Sequence, residues 1–434
     1  MPFAHGDTEY GLAAGKEVVR MRVRISALLR TVLPLCMAGI VGAATSPIEF
    51  LSLSNEESPR TGTGLGSSRL LKTLAAKPSG AWKLPKLSPQ ALYALIDIGS
   101  VSRLMVIDCA GGGAFDRLYF DDNADKILKE APREGKTSGS TSVFPGIECK
   151  IKLGSKLMQY CFRIEVEDLR KTRNQFTANN VFIHVVSACC WSGVVEVAGE
   201  KRRVFLSDAN VNGFFGDKPG KARAMVKDSS QLIADRLFMA PEDKKLPTDA
   251  GWILGDILVI EDGCYKFAAD LVKGEMALSP STGPTGPVEI PTGLDRLSLS
   301  DERGQTWIMV ASPSEKTRLP LGKWRLVDYE ITRTEGGYLW SVHGTPPPGE
   351  SIIYVGKKER SLVLGEPLQP TIDARKSGPS ALLMMFKMLG VGKEDATVSC
   401  VSLSSGTRSL PQAPKYRIED EKGEVLAQGV FHYG

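Results

Sequence analysis

Apolar side chains recur along most of the chain in short runs, and long helical stripes are scarce. Residues 93–98, 159–166 and 181–186 are typical, since each is rich in Ile, Val, Tyr or Phe and is set off by polar turn-forming residues. This texture indicates β-strands joined by turns, so we predict an all-β fold. One short helix is expected over 229–239, where apolar residues have near-helical spacing. Residues 381–389 fit a helix or a buried strand, and their position among strands favours the strand.

Changes in composition divide the chain into six segments. Two stretches rich in Ser, Gly, Thr and Pro, 45–81 and 279–293, are predicted to be flexible linkers. The other predicted segments are a signal peptide over 21–44, a first small β unit over 82–190, a second, related β unit over 191–278, and a β-sandwich region of the prealbumin or immunoglobulin-like kind over 294–434. Each of the last three is large enough to bury a core of its own.

A cationic and then apolar stretch near the N-terminus predicts export. Arg22 and Arg24 precede the uncharged run 31–44, and small residues form a cleavage site before Ala44. We take Met21 as the start of the signal peptide. The alternative is an uncleaved anchor, but 14 helical residues reach only about 21 Å across a hydrocarbon core of roughly 30 Å. The predicted location is therefore secreted, periplasmic or cell-surface, with membrane contact only through this segment.

Composition narrows the partner classes. The chain has 434 residues, 42% hydrophobic and 24% charged, and 54 basic against 50 acidic side chains give a net charge of +4. These values are typical of a globular protein. The charge is too small to imply a nucleic-acid partner. The composition is compatible with either a polysaccharide or a cell-surface protein as the partner.

Eight cysteines are present, and Cys36 lies inside the predicted signal segment. The seven that remain are an odd number, so an exported chain keeps at least one free thiol. No C-x-x-C pair occurs. We expect most of the cysteines to be small buried apolar residues.

Two segments share one polar spacing. Residues 121–130 and 208–217 each follow a short apolar run, and both read D-x-N-x-[DN]-x-x-[LF]-x-[DE]. They lie 208 − 121 = 87 residues apart, about the size of a small β domain. The spacing therefore predicts a duplicated unit.

The second segment has the residues of a calcium loop. Oxygen ligands at positions 1, 3 and 5 of a tight loop converge on one hard cation, glycine at position 6 permits the turn, and position 7 offers its carbonyl. Gly213 occupies position 6. The predicted ligands are Asp208, Asn210, Asn212, the Phe214 carbonyl and Asp217. The alternative is a metal-free turn, since Asp and Asn side chains also cap backbone amides in ordinary β-turns.

The first segment departs from this pattern at one position. Lys126 stands where the second segment has glycine. A cation there opposes a metal and removes the turn residue, so we expect the loop that begins at Asp121 to bind weakly or not at all.

These loops carry a resemblance. Together with the Trp191-Ser-Gly run and the ending GEVLAQGVFHYG, they resemble uncharacterised exported proteins of planctomycete-type bacteria, which have repeated D-x-N-x-N-G-x-F-x-D loops and β-sandwich modules. The loop itself is similar to the calcium loops of dockerin and thrombospondin type 3 repeats. The resemblance implies export and calcium binding and does not imply an activity.

The C-terminal region carries a second resemblance. The run 319–326 (LPLGKWRL) resembles the start of a central strand in prealbumin-like sandwich modules. Trp307, Trp324 and Trp340 fall on three consecutive predicted strands. They are either an aromatic platform for sugar rings or core aromatics of the sandwich, and the core interpretation is favoured.

Signs of catalysis are few. No H-E-x-x-H or G-x-S-x-G motif is present, and the candidate catalytic histidines of the mature chain include His184, mid-strand, and His343, before a glycine. We therefore expect a non-catalytic exported β-domain protein that binds or scaffolds and is stabilised by calcium. A carbohydrate-binding or carbohydrate-active protein is the alternative, and a hydrolase with an unrecognised site is the third hypothesis.

Overall fold

The structure is a computed structural model, and it describes residues 46–52, 69–109, 113–170, 180–219, 234–244, 251–261, 263–291, 293–311, 313, 316–335, 337–346, 352–376, 382–393, 395–402, 408–409, 415–419 and 423–430. The predicted signal peptide, 21–44, lies outside these residues. Within the described part of the chain, no helix has the length and apolar character that crossing a membrane requires.

The regular elements of the described residues are β-strands. The first sixteen strands are β1 (Ser46–Ser52), β2 (Arg69–Leu71), β3 (Leu92–Ile98), β4 (Val101–Asp108), β5 (Arg117–Phe120), β6 (Arg133–Glu134), β7 (Lys136–Ser138), β8 (Thr141–Leu153), β9 (Lys156–Asp168), β10 (Val181–Ser187), β11 (Cys189–Val197), β12 (Glu200–Ser207), β13 (Arg236–Pro241), β14 (Trp252–Ile253), β15 (Ile257–Ile260) and β16 (Gly263–Asp270). The later strands are β17 (Glu275–Pro280), β18 (Thr285–Glu289), β19 (Leu294–Asp301), β20 (Trp307–Ala311), β21 (Lys316–Pro320), β22 (Gly322–Glu335), β23 (Tyr338–Thr345), β24 (Ile352–Val355), β25 (Arg360–Ser361), β26 (Gln369–Lys376), β27 (Leu382–Leu389), β28 (Asp395–Ser402), β29 (Arg408–Ser409), β30 (Lys415–Glu419) and β31 (Val425–Val430). The predicted all-β fold class is confirmed.

Two antiparallel sheets enclose the first core. One has the order β3-β4-β5-β6 and the other β2-β10-β9-β8-β7. Alternate side chains of β3 are buried while those between them are exposed or half-buried, which is the period of two that a one-sided sheet requires. The first core contains Ile96, Ile107, Phe144, Tyr160, Phe162 and Ile183.

A second core lies under the next antiparallel sheet, whose order is β1-β11-β12-β13-β14. It also receives side chains from β15, β17 and β20. The second core contains Val195, Val204, Leu237, Leu258, Met276, Leu278 and Met309. Strand β1 joins the parts of this region, because its residues 48–52 pair with β11 while its first two residues pair with β17.

The C-terminal strands continue from β15, which pairs in parallel with β20. Strand β19 pairs with β20 and β22, and β22 pairs in turn with β23 and β24. Strands β23, β28, β27 and β26 extend the sheet as antiparallel neighbours. The third core, beneath them, contains Leu297, Ile308, Val310, Trp324, Tyr329 and Ile331.

Two local predictions have opposite outcomes. The run 381–389 is predicted as a strand, and β27 occupies it from Leu382. The helix predicted over 229–239 is wrong where the structure describes it, because residues 236–239 belong to β13. Leu237 and Phe238 are both fully buried there, and pairing with β12 determines the conformation in place of the helical spacing.

The predicted linkers contain paired strands. Strands β1 and β2 lie inside 45–81, and β18 lies inside 279–293. Strand β18 pairs with both β21 and β25, and Val288 is fully buried in the third core. The linker predictions are therefore wrong at these strands, because alternating apolar residues such as Ile48 and Phe50 outweigh the local Ser and Pro content.

The predicted boundary between the two β units, at 190/191, also falls inside a strand, since β11 begins at Cys189. The 191–278 segment depends on β1 for an edge partner of β11. The two β units as drawn from composition therefore do not separate cleanly at this point.

The cysteines whose side chains the structure describes are free and buried, namely Cys109, Cys149, Cys161, Cys189, Cys190 and Cys264. Burial raises the pKa of the Cys149 thiol to about 11 and that of Cys190 to about 12. Protonated thiols are poor nucleophiles and metal ligands. These residues act as small apolar core residues.

The placement of β1 generates a first prediction. A chain that starts at residue 53 lacks β1, and it should unfold at lower denaturant than a chain that starts at residue 45. The expected loss is on the order of 3 kcal/mol, because the pairing with β11 and β17 and the burial of Ile48 and Phe50 are both removed. Chemical denaturation of the two chains checks this, and equal midpoints would restore the linker interpretation.

Candidate functional site

The segment 208–217 forms a loop directly after β12, next to both the first and the second core. Val211 is fully buried in the first core. Phe215 is half-buried and packs against both cores. Phe215 also makes edge contacts with Phe50, Tyr160 and Trp191, with ring centroids 6.1–6.5 Å apart. The loop therefore links strands that are distant in sequence.

Asp208 organises the loop from its first position. Its side chain is fully buried. The Tyr160 hydroxyl donates to Asp208 Oδ2 over 2.7 Å, and the Gly213 N–H donates to the same oxygen over 2.6 Å. The Asn212 N–H donates to Oδ1 over 3.2 Å. Three donors thus compensate a carboxylate that has left water.

The two asparagines use both ends of their amide groups. Asn210 Oδ1 accepts from the Asn212 N–H at 3.1 Å, and Asn212 Oδ1 accepts from the Phe214 N–H at 2.7 Å. Their Nδ2 groups donate to Asp217 Oδ2, at 3.3 Å from Asn210 and 2.6 Å from Asn212. The structure therefore brings the predicted side chains of Asp208, Asn210, Asn212 and Asp217 into one connected network. The Phe214 side chain points outward and is 43% exposed.

Gly213 has the backbone that the motif predicts. Its φ is +80°, in the left-handed region that favours glycine. A Cβ at this position would lie 2.6 Å from the Gly99 nitrogen. The Gly99 N–H donates to the Asn212 carbonyl over 2.6 Å, so the loop docks against the turn between β3 and β4 at this point.

Asp235 belongs to this site although the motif does not include it. It lies just before β13 and is fully buried. Its Oδ2 accepts from the N–H groups of Gly216 and Asp217, at 2.6 and 2.9 Å, and its Oδ1 accepts from the Ala209 N–H at 3.1 Å. No local pattern marks Asp235, since its partners lie 18 to 26 residues earlier in the chain.

The electrostatics of the site are those of crowded, desolvated carboxylates. Burial raises the pKa of Asp208 from 3.8 to about 6. Burial, followed by the charge of Asp208, raises the pKa of Asp235 well above its ordinary value. Burial and the Asp208 charge also raise the pKa of Tyr160, which keeps its hydroxyl a donor. Among the described residues, no basic side chain lies within 4.0 Å of Asp208, Asp217 or Asp235.

Carboxylates alone do not complete a metal centre here. In the described part of the chain, no three carboxylate, imidazole or thiol side chains group as a metal-binding set. A cation at this loop would therefore need the asparagine and main-chain oxygens that the motif includes. Hard oxygen donors of this kind suit calcium.

The first loop, 121–130, follows β5 as the second follows β12. Lys126 adopts the left-handed conformation that favours glycine, with φ +65°. Its ammonium lies 5.9 Å from the centre of the Trp82 ring. The backbone of the first loop therefore keeps the turn even though lysine stands in place of glycine.

The three tryptophans do not form one exposed platform. Trp307 and Trp324 are buried, with indole N–H groups that donate to the carbonyls of Gly304 and Pro320. Trp340 is half-buried beside Tyr338, with the rings tilted by 55°. Stacking on one flat face of a sugar by all three is therefore excluded.

The two strand histidines lie in different sheets. His184, on β10, is opposite Glu165 of β9, and His343, on β23, is opposite Glu330 of β22. Arg163 binds Glu165 at 2.9 Å, and Arg296 binds Glu330 at 2.8 Å. Each glutamate is thus already paired with an arginine.

The chain matches no protein-family model, no curated protein and no solved structure.

The loop geometry predicts unequal costs for two glycine substitutions. Gly216 also has positive φ, +94°, but a Cβ there would meet no atom within 4 Å, whereas a Cβ at Gly213 would meet the Gly99 backbone. Gly216→Ala should cost about 1–2 kcal/mol of unfolding free energy. Gly213→Ala should cost at least about 1 kcal/mol more, because Gly99 must move. Equal losses in urea denaturation would contradict the docking of the loop on Gly99.

The raised pKa of Asp208 predicts a pH dependence. The calcium-free folded protein holds this proton more tightly than the unfolded chain does, so the contribution to stability is complete below about pH 4 and is lost as pH rises through about 6. A rise in pKa from 3.8 to about 6 corresponds to about 3 kcal/mol. Asp208→Asn should therefore lose less stability than wild type between pH 4 and 7, measured in chelator. Parallel curves for the two proteins would contradict the assignment.

Proposed function

We propose that this is a non-catalytic exported protein of the cell surface or periplasm that binds or scaffolds through its β domains. We propose further that calcium stabilises its 208–217 loop. The resemblance of the two loops to those of exported proteins supports the location, and so does the cationic and then apolar pattern of residues 21–44. The all-β architecture, in which separate sheets meet at one loop, is suited to a rigid scaffold.

One observation carries the proposal. Asp208, Asp217 and Asp235 meet around a loop that contacts two hydrophobic cores. Burial is the main cause of the raised pKa values of Asp208 and Asp235. The charge of Asp217 adds to the shift of Asp208, and the charges of Asp208 and Asp217 add to that of Asp235. Mutual repulsion of buried carboxylates destabilises the folded chain unless a proton or a cation intervenes. At neutral pH, outside a cell where calcium is present, a bound cation would neutralise part of this negative charge.

The chain supplies suitable ligands for that cation. Asp208 and Asp217 would contribute charge, and Asn210, Asn212 and the Phe214 carbonyl would contribute neutral oxygens. Each amide or carboxylate oxygen has two lone pairs. Asp208 Oδ1, Asn210 Oδ1 and Asn212 Oδ1 each accept one backbone N–H, which leaves each of them one lone pair for a metal. Two charged ligands correspond to modest affinity.

The polysaccharide alternative has less support. It depends on Trp340 and Tyr338, a tilted pair of which only Tyr338 is well exposed. A mannan or cellulose pull-down with Trp340→Ala as control would separate it from the scaffold proposal.

Calcium should raise the stability of the full chain. Calcium at about 100 times its Kd adds about 2.7 kcal/mol through linkage, so the melting temperature should rise in calcium and fall in chelator. Asp208→Asn should reduce that shift, while Asp243→Asn, at an exposed position after β13, should keep it. If calcium raised the melting temperatures of wild type and Asp208→Asn equally, the proposal that calcium binds this loop would be contradicted.

Export should leave a defined N-terminus. Protein recovered from the envelope or medium of an exporting host should begin at Ala44, as Edman sequencing or intact-mass measurement would reveal. Full-length chain found only in the cytoplasm would contradict the proposed location.

A further inference from the structure

The 121–130 loop shares two left-handed backbone positions with the 208–217 loop. Its fourth residue, Ala124, has φ +61°, and the matching Val211 has φ +53°. The sixth residues, Lys126 and Gly213, have φ +65° and +80°. Non-glycine residues rarely adopt this conformation, and it occurs at the fourth and sixth positions of both loops.

The side chains at the fifth position also act alike. Asp125 Oδ1 accepts from the Ile127 N–H over 2.8 Å, as Asn212 Oδ1 does from the Phe214 N–H over 2.7 Å. Asn123 Nδ2 donates to Asp125 Oδ2 over 2.8 Å. Positions 1, 3 and 5 of the first loop therefore carry two carboxylates and an amide.

The first position differs in one decisive respect. Asp121 is fully buried, and neither of its carboxylate oxygens has a donor in hydrogen-bonding geometry among the described residues. The backbone N–H groups of Lys126 and Asp125 face the carboxylate and act to lower its pKa, which places it inside the loop, yet burial outweighs them and the pKa is raised. Asp208, at the same position of the other loop, has three donors.

The nearest basic groups are occupied elsewhere. The buried Arg103 donates to the carbonyls of Asp121, Asp122 and Lys150, each at 2.9 Å. Its guanidinium lowers the pKa of Asp121 from a distance, but in the described chain it makes no ion pair with that carboxylate within 4.0 Å. Lys126 lies over Trp82, and the Lys129 ammonium pairs with Asp122 Oδ2 at 2.7 Å. Among the described residues, neither ammonium makes an ion pair with Asp121 within 4.0 Å.

When the N–H groups that face a buried carboxylate, here those of Lys126 and Asp125, are not in hydrogen-bonding geometry, its burial is costly unless a ligand compensates it. We propose that the 121–130 loop is a binding site for a hard divalent cation, with calcium as the class of ligand, held by Asp121, Asp125 and the oxygen of Asn123. Two carboxylates favour a cation over a lone water molecule. The site is independent of the 208–217 loop, and neither proposal requires the other.

Trp82 provides a local reporter for the test. It adjoins Lys83, whose N–H donates to the Lys126 carbonyl over 2.9 Å. Terbium replaces calcium at oxygen sites, and its emission is excited by a nearby indole. The full chain should therefore show terbium emission on tryptophan excitation, and calcium should displace it. The terbium emission that comes from this loop is the fraction that is lost in Trp82→Phe.

The variants decide the outcome. Asp121→Asn should abolish the Trp82-dependent emission, and so should Asp125→Asn, whose exposed position separates loss of the ligand from loss of the fold. Asp97→Asn, an exposed aspartate on β3, should keep it. Asp208→Asn should also keep it, which separates this site from the proposed function. Trp82-dependent emission that is absent in wild type, or that survives in Asp125→Asn, would overturn the proposal.

Discussion

The arrangement of the two N-terminal cores depends on one buried carboxylate, that of Asp208. A carboxylate moved out of water costs several kcal/mol unless donors replace the solvent. Tyr160 and the N–H groups of Asn212 and Gly213 are those donors. Because two of them are consecutive backbone groups, the carboxylate determines the path of the loop. That path places Val211 in the first core and Phe215 between the first and second cores.

The same constraint makes the loop sensitive to charge. Asp235 accepts three backbone hydrogen bonds from the loop, and its charge repels those of Asp208 and Asp217. Hydrogen bonds hold the three groups together while their charges push them apart. A proton at low pH relieves that repulsion, and we propose that a cation does so at neutral pH. The protonation of this loop therefore connects pH to the stability of both cores.

Sequence patterns predict the fold class, and they predict which side chains of the 208–217 loop lie close together. Alternation along β3, and the 1-3-5 spacing with Gly213, act over neighbouring residues, so they are visible locally. Asp235 and Tyr160 are not visible in this way, because their contacts to the loop form only when distant strands pair. Composition misleads at β1 and β18, where pairing on both sides of the strand outweighs Ser and Pro content. The lysine at position 126 also misleads, because the sequence suggests that the glycine turn is lost there. In the structure, Lys126 adopts the left-handed conformation that favours glycine.

The Asp208 carboxylate holds the loop by accepting hydrogen bonds from backbone N–H groups. Amide hydrogen exchange at Gly213 measures that role directly. The Gly213 N–H donates to a fully buried oxygen, so its protection should match that of amides in the middle of β12 and should fall sharply in Asp208→Ala while β4 amides keep theirs. Exchange of the Gly213 amide at the rate of an exposed turn in the wild-type protein would contradict this role of Asp208.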